Sequence, residues 1–411
     1  MEALKAALTE YVNTLVEDGA IGSESVQQAF RTVHRHRFLE GWYHPEVSDV
    51  RVVFRPVEYD RDHPTPEGLR EIYSNQALVT AVKHSMPTSS TSQPALVARM
   101  LELLDLRPGM HVLEIGTGTG YNAALLAEIL GSGTCVSTIE YQEDVAQRAR
   151  SHLEDEGHGD VRVVCGDGHL GVPDSAPFDR IVATVSCSDV SPHWLDQLSP
   201  EGLLLLPLRH GFSDPLVRIE RDPADGEQAF GRIVDRSSFM PIHGTLAWAN
   251  PWQSYGIANL PQEPTSIYPL PNGLASDRGT TETPLNQMED RGLRFFLALS
   301  SRELWWSNRG YGLADPGSSS ALILTKGGLE GYTASSDTAG LDGLYDRFVR
   351  IQDEWRQLGR PTTADYSLTF VPAARLEKPP EVPGREWIIV RPLYIEIVRL
   401  PERVRALEDD D

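Results

Sequence analysis

Between residues 95 and 243 of this 411-residue chain, short apolar runs alternate with amphipathic stretches. The helix-like ALVARMLELLDL stops at Pro108-Gly109, and MHVLEI follows as a strand. YNAALLAEIL reads as a helix ending at Gly131-Ser132-Gly133. TCVSTIE, VRVVCGD and FDRIVATVS read as strands, with helix EDVAQRARSHLEDEG between the first two. PHWLDQL, a Pro200-Glu201-Gly202 turn and LLLLPL close the series. Apolar strands without polar alternation need cover on both faces, and crossover helices between parallel neighbours supply it. The spacing predicts an α/β fold with a doubly wound, Rossmann-like parallel sheet.

The flanks read differently. Residues 1–38 form two helices, the second being SESVQQAFRTVHRH with Val26, Phe30 and Val33 on one face. Residues 39–94 look irregular, so 1–94 is expected to be helices plus a loop covering the site, and 95–247 the core domain. PLVRIERD and GRIVDRSSFMPI read as closing strands. Residues 248–291 carry prolines at 251, 261, 264, 269, 271 and 284, a linker or wrapped loop. Residues 292–411 read as a separate, smaller α+β domain. There RFFLALS, ALILTK, YSLTFV and WIIVRPLYIEIV are strand-like around one helix bearing Leu341, Leu344, Tyr345, Phe348, Ile351 and Trp355.

Composition limits the partners. A formal charge of -22 repels phosphate backbones and anionic lipid, so neither nucleic acid nor membrane is an expected ligand. The run His34-Arg35-His36-Arg37 is the one basic cluster and reads as a solvated face. The N-terminus lacks the basic start and apolar stretch of a signal peptide. Cys135, Cys165 and Cys187 have no metal-ligand spacing and leave an odd thiol in any pairing, so no metal is expected and a reducing cytoplasm is the expected compartment.

The chemistry centres on Glu114-Ile115-Gly116-Thr117-Gly118-Thr119-Gly120-Tyr121, set between a strand and a helix. Glycines let the backbone touch a ligand, and the helix start offers free N–H groups. A dinucleotide fingerprint places its third glycine three residues after the second, where this chain has Tyr121. The spacing here is G-x-G-x-G with an acidic residue two before it, which suits S-adenosyl-L-methionine, whose methionyl and ribose parts carry no phosphate. Glu140 ends the next strand, where a carboxylate can accept from both ribose hydroxyls. Asp167, in Cys165-Gly166-Asp167-Gly168, is placed to take an adenine amino group.

These residues and their surroundings resemble the protein-L-isoaspartate O-methyltransferase family over about residues 22–243. VQQAFRTVHRHRFL is similar to its N-terminal signature, and Ser90-Thr91-Ser92-Gln93-Pro94 to its T-I-S-Q-P segment. VLEIGTGTGYNAALLA resembles its cofactor motif; VVCGDGHLG with APFDRIVAT, and FMPIHG, resemble later strands. The resemblance implies a class I methyltransferase sheet and methylation of an Asp or isoaspartyl carboxylate in a peptide or protein, followed by succinimide formation. It gives Ser92 the place of the active-site serine, with Ser90 and Thr91 beside it over the methyl donor. The implied donor contacts are Glu114, Gly116, Thr117, Gly118, Gly120, Glu140, Tyr141, Asp167 and Gly168. A carboxylate acceptor with a pKa near 4 needs no strong base, and no nucleophilic residue is expected.

Three departures stand out. The loop Thr184–Val190 replaces small residues and a proline; there a charge on Asp189 would disfavour an anionic acceptor, so the side chain is expected to face solvent. His84–Ser89 replaces a shorter, glycine-containing segment. The C-terminal domain is the third, and extended relatives of this kind tailor ribosomally made, lanthipeptide-type peptides, turning Asp into isoaspartate. Repair and tailoring both remain open. A non-catalytic module that binds isoaspartyl peptides is the rival class, and the intact loop with Glu140 and Asp167 argues against it; Tyr121 weakens a NAD-dependent oxidoreductase.

Overall fold

The computed structural model describes residues 2–47, 52–211, 213–247, 261, 263–271, 287–306, 310–315, 317–325, 328–333, 338–375 and 385–401. Two compact units emerge. The first comprises Met1–Pro207, Arg218–Glu227 and Phe239–Trp248, and the second Leu208–Val217, Gln228–Ser238 and Ala249–Asp411.

The first unit begins with α1 (Glu2–Glu17) and α2 (Glu24–Thr32). Ser23 caps α2 by accepting the Val26 N–H at 3.3 Å, and Val26, Ala29 and Phe30 face inward. The chain then tightens into a 3₁₀ turn, Arg35–Phe38. Here the expected solvated basic face is overturned: the Arg35 side chain has no exposed surface and His36 is buried.

Residues 39–94 are not irregular. They form β1 (Gly41–Val47), β2 (Val52–Glu58), α3 (Pro66–Ile72), β3 (Leu78–Lys83) and β4 (Met86–Thr91). The strands make an antiparallel sheet in the order β2-β1-β3-β4. Two prolines hide the pattern. Pro56 sits on the edge strand β2; Pro45 lies in β1, whose pairing to β3 is confined to Tyr43 opposite Val79.

The central elements follow the alternation read from the sequence: α4 (Pro94–Leu103), β5 (Val112–Ile115), α5 (Tyr121–Leu130), β6 (Val136–Glu140), α6 (Glu143–Asp155), β7 (Arg162–Cys165), β8 (Phe178–Ala183), α7 (Pro192–Gln197) and β9 (Leu198–Pro207). Strands pair in parallel in the order β7-β6-β5-β8-β9. Every residue of β5 and β6 is buried, so both faces are covered. This is the doubly wound, Rossmann-like sheet expected from the sequence, and its order reverses between β5 and β8, where such folds bind ligands. Pro200–Gly202 is not a separate turn: it lies inside β9, where pairing with β8 shifts register after Phe178.

After β10 (Asp214–Arg221) and β11 (Ala229–Ser237), the second unit adds β12 (Ser266–Tyr268), α8 (Gln287–Ser300), β13 (Leu304–Trp306), β14 (Gly310–Asp315), β15 (Ser320–Thr325), β16 (Gly328–Thr333), α9 (Ala339–Gln357), β17 (Ser367–Pro372), β18 (Glu386–Val390) and β19 (Tyr394–Arg399). One antiparallel sheet runs β12-β16-β15-β14-β13; strands β11, β17, β19 and β18 pair antiparallel in that order. RFFLALS, expected as a strand, is the end of helix α8. Leu293, Phe296 and Leu297 recur at helical spacing and share a core with Phe348 and Trp355 of α9; a short apolar run cannot show that period by itself. Of the proline-rich 248–291, residues 248–260 and 272–286 lie outside the described residues, and Ser266–Tyr268 is strand β12.

Candidate active site

The chain leaves β5 at Ile115 and must turn into α5 through Gly116–Gly120 while staying close to its neighbours. Gly116 has φ +101°, and a Cβ there would lie 2.9 Å from Val185 Cγ1. Gly118 has φ +53°, with the Ser90 carbonyl 3.4 Å from where a Cβ would stand. Left-handed backbone and close approach both call for glycine. The second contact also brings the end of β4 against the loop.

Glu114 is fully buried beneath the loop. Its Oε1 accepts from Asn122 Nδ2 at 2.7 Å, and its Oε2 from Thr138 Oγ1 at 2.7 Å. Burial pushes its carboxyl up to about 7, against these two hydrogen bonds and with help from the nearby charge of Glu140. Glu140 is buried at the end of β6, and its two oxygens accept the N–H groups of Gly118 at 3.1 Å and Gln142 at 3.0 Å. Desolvation raises its pKa as well, opposed by those backbone donors.

These groups line a cavity of about 900 Å³, open mouth included. Glu114, Gly116, Thr117, Gly118, Glu140, Tyr141 and Gly168 line it together with Ser90, Thr91 and Ser92. Ser90 and Ser92 are half-buried, whereas Thr91 is buried, with its Oγ1 3.5 Å from Arg35 Nε. Tyr141 is 52% exposed at the mouth and stacks on His243, centroids 5.8 Å apart. Gln142 donates from Nε2 to the Thr88 carbonyl at 2.9 Å, tying β4 to the end of β6.

Two sequence-predicted residues are not brought to the cavity wall. Gly120 packs against Ala149 and Leu153 of α6. Asp167 caps the turn that follows β7 and holds another segment: its carboxylate accepts from the His169 N–H at 3.0 Å, the Thr245 N–H at 2.8 Å and Thr245 Oγ1 at 2.7 Å. Although desolvation acts to raise it, those donors keep the Asp167 pKa below the ordinary carboxylate value. Gly244, φ +84°, must lack a Cβ because Asp167 Cγ would lie 2.6 Å away. Asp189, expected to face solvent, is fully buried and its Oδ1 accepts the Val190 N–H at 2.7 Å; the loop reaches the cavity through Thr184 and Val185 instead.

The wall also holds a segment that the sequence marked only by family likeness, as a closing strand and not as part of the site. Phe239–His243 closes one side, pinned where the Ser186 N–H meets the Met240 carbonyl at 2.8 Å and the Ile242 N–H meets the Ser186 carbonyl at 3.0 Å. Nothing local in the sequence marks a contact of this separation. No lysine, arginine or cysteine lines the cavity among the described residues. Nor do they contain a group of three or more His, Cys, Asp or Glu able to hold a metal, or a helix long and apolar enough to cross a membrane.

The residues present fit S-adenosyl-L-methionine. The glycine loop leaves the backbone bare along the cavity wall, and Glu140 offers carboxylate oxygens at the strand end. The family model described as protein-L-isoaspartate(D-aspartate) O-methyltransferase matches residues 6–246. A protein-L-isoaspartate O-methyltransferase of Nitrosospira multiformis is 36% identical over 244 residues, 59% of this chain and 88% of the relative. One from Methanothermobacter thermautotrophicus is 35% identical over 238 residues, 58% of this chain and 95% of its own. Among solved structures, a chain titled protein-L-isoaspartate O-methyltransferase is 22% identical, with 88% of this chain and 96% of that chain covered at a TM-score of 0.49. With a family model spanning more than half of its length, the chain belongs to the protein-L-isoaspartate(D-aspartate) O-methyltransferase family.

Proposed function

We propose that this protein is a carboxyl O-methyltransferase that uses S-adenosyl-L-methionine to methylate the isoaspartyl carboxylate of a peptide or protein. One observation carries the reading: the glycine loop with Glu140 and the hydroxyl segment Ser90–Ser92 are walls of one cavity. Glu114, Gly116, Thr117, Gly118, Glu140, Tyr141 and Gly168 are the donor contacts in this account, and Glu140 takes the ribose hydroxyls. S-adenosyl-L-methionine supplies a methyl group that an anionic oxygen can attack, the electron pair of the broken bond passing to sulfur.

The chain's own residues have an orienting task. An acceptor carboxylate is ionised at neutral pH, so no base is required. Ser90 and Ser92, both on the cavity wall, donate hydrogen bonds in this reading that hold the carboxylate without neutralising it. With Phe239–His243 closing one side, water is limited and the reacting atoms are held in line, which is where most of the rate gain arises. Among the described residues no lysine or arginine lines the wall, so none of them quenches the nucleophile as a fixed cation. The next backbone nitrogen can then attack the ester carbonyl, closing the succinimide as methanol leaves with the amide proton.

The test is transfer of labelled methyl groups to an isoaspartyl peptide and to its aspartyl twin. Base-labile label on the isoaspartyl peptide supports the proposal. Label on neither would call for a cognate peptide acceptor, and failure to bind the cofactor at millimolar levels would favour a non-catalytic binding module instead.

The second unit favours a second reading, since it extends past the matched residues 6–246. In that reading the acceptor is an unmodified Asp of a ribosomally made peptide, and the added unit grips the peptide. Label on the aspartyl twin alone would select it. Cys135, Cys165 and Cys187 form no disulfide with one another, which supports work in a reducing cytoplasm.

A further inference from the structure

Arg35 is a buried cation whose hydrogen-bond partners include no carboxylate. Its guanidinium spans five main-chain carbonyls. Nη1 donates to Ile72 O at 2.5 Å and Ser74 O at 3.3 Å; Nη2 donates to Gln76 O at 2.9 Å, Ser92 O at 3.0 Å and Thr91 O at 3.4 Å. Burial lowers its pKa, yet a guanidinium keeps its proton in a protein, so the charge is balanced by carbonyl dipoles alone among these partners. One side of this fork holds the end of α3 and the turn after it. The other side holds the end of β4, where the hydroxyl segment enters the cavity. The turn is fixed in its own right: Asn75 Oδ1 accepts the Ala95 N–H at 3.0 Å at the start of α4.

Burying an arginine costs several kcal/mol unless its donors are met. Here the donors are met by carbonyls of two separate segments, so the fork fixes where those segments lie relative to each other as well as filling space. We propose that Arg35 is a positioning residue for methyl transfer: by holding the Thr91 and Ser92 carbonyls against a fixed turn, it sets where the Ser90 and Ser92 hydroxyls present the acceptor carboxylate. This rests on the functional reading above. Lysine cannot replace it, because an ammonium is a point charge with three donors and no planar fork.

Arg35→Ala would leave a cavity lined by orphaned carbonyls, so Arg35→Lys in the full chain is the variant to measure. Its affinity for S-adenosylhomocysteine by calorimetry is expected to stay within about twofold of wild type, because the glycine loop and Glu140 are untouched. Its kcat on an isoaspartyl peptide is expected to fall about ten- to a hundredfold with little change in KM, the cost of a misplacement near 1 Å. A folded Arg35→Lys protein with kcat within about twofold of wild type would overturn the inference. So would an equal loss of kcat and of S-adenosylhomocysteine affinity, or failure to fold, either of which assigns Arg35 to general stability. A wild-type protein that leaves the isoaspartyl peptide unlabelled sinks the functional reading and this inference with it; a normal wild type beside an unimpaired variant sinks this inference alone.

Discussion

Gly118 donates its N–H to Oε2 of Glu140 at 3.1 Å, so the glycine loop and the end of β6 are tied through one carboxylate. In the proposed function the same carboxylate takes the pair of ribose hydroxyls. Replacing Glu140 with Ala should therefore reduce S-adenosylhomocysteine affinity about ten- to a hundredfold, since hydrogen bonds to an ion contribute about 1.5–3 kcal/mol. Calorimetry checks it. Unchanged affinity would mean the nucleoside lies elsewhere.

Glu114 carries a pH signature. Its folded-state pKa of about 7 stands above the ordinary value of 4.5, so the folded protein holds the proton more tightly than the unfolded chain. That stabilisation is full below 4.5 and is lost as pH rises through 7, a change on the order of 3 kcal/mol. Glu114→Gln keeps the shape and removes the titration. The Tm advantage of wild type over this variant should shrink between about pH 5 and pH 8. A difference that stays level across that range contradicts the burial argument.

Much of this site could be read from sequence, and the reasons are local. The β5-turn-α5 passage is legible because fully buried strands are apolar throughout and because left-handed turns select glycine at 116 and 118. Glu140 is legible as a strand-ending carboxylate. Arg35 is not: four basic residues in a row look like surface, and what buries one of them is a set of carbonyls contributed by residues 72–92. Asp167 is only half legible, since the turn it caps is local while the Thr245 it holds is distant. Pro45 and Pro56 mask a sheet, and RFFLALS is too short to reveal the period of α8.

Ser92→Ala should separate binding from turnover. The cofactor walls are unaffected, so S-adenosylhomocysteine binding should match wild type while kcat on an isoaspartyl peptide falls about ten- to a hundredfold, the worth of one hydrogen bond to a charged group. Full activity would move the acceptor to another part of the cavity.

The second unit offers a stability test. Glu396 is fully buried between His210 Nε2 at 2.9 Å and the Arg391 guanidinium at 2.5 Å. Desolvation acts to raise its pKa, but Arg391 and His210 outweigh it and hold the group near 2. Its contribution is present above 4.5 and is lost as pH falls through about 2. Breaking such a pair from one side costs about 3–5 kcal/mol. Glu396→Gln should lower the denaturant midpoint accordingly, and a change under about 1 kcal/mol would show that the pair is not coupled as the geometry indicates.

A crystal structure with S-adenosylhomocysteine and an isoaspartyl peptide bound is the most direct test of the shared cavity. The account predicts the nucleoside along Gly116–Gly118 with its ribose on Glu140, and the isoaspartyl carboxylate within hydrogen-bond reach of Ser90 or Ser92. A nucleoside lodged away from the glycine loop, or a carboxylate held by other residues, would contradict it.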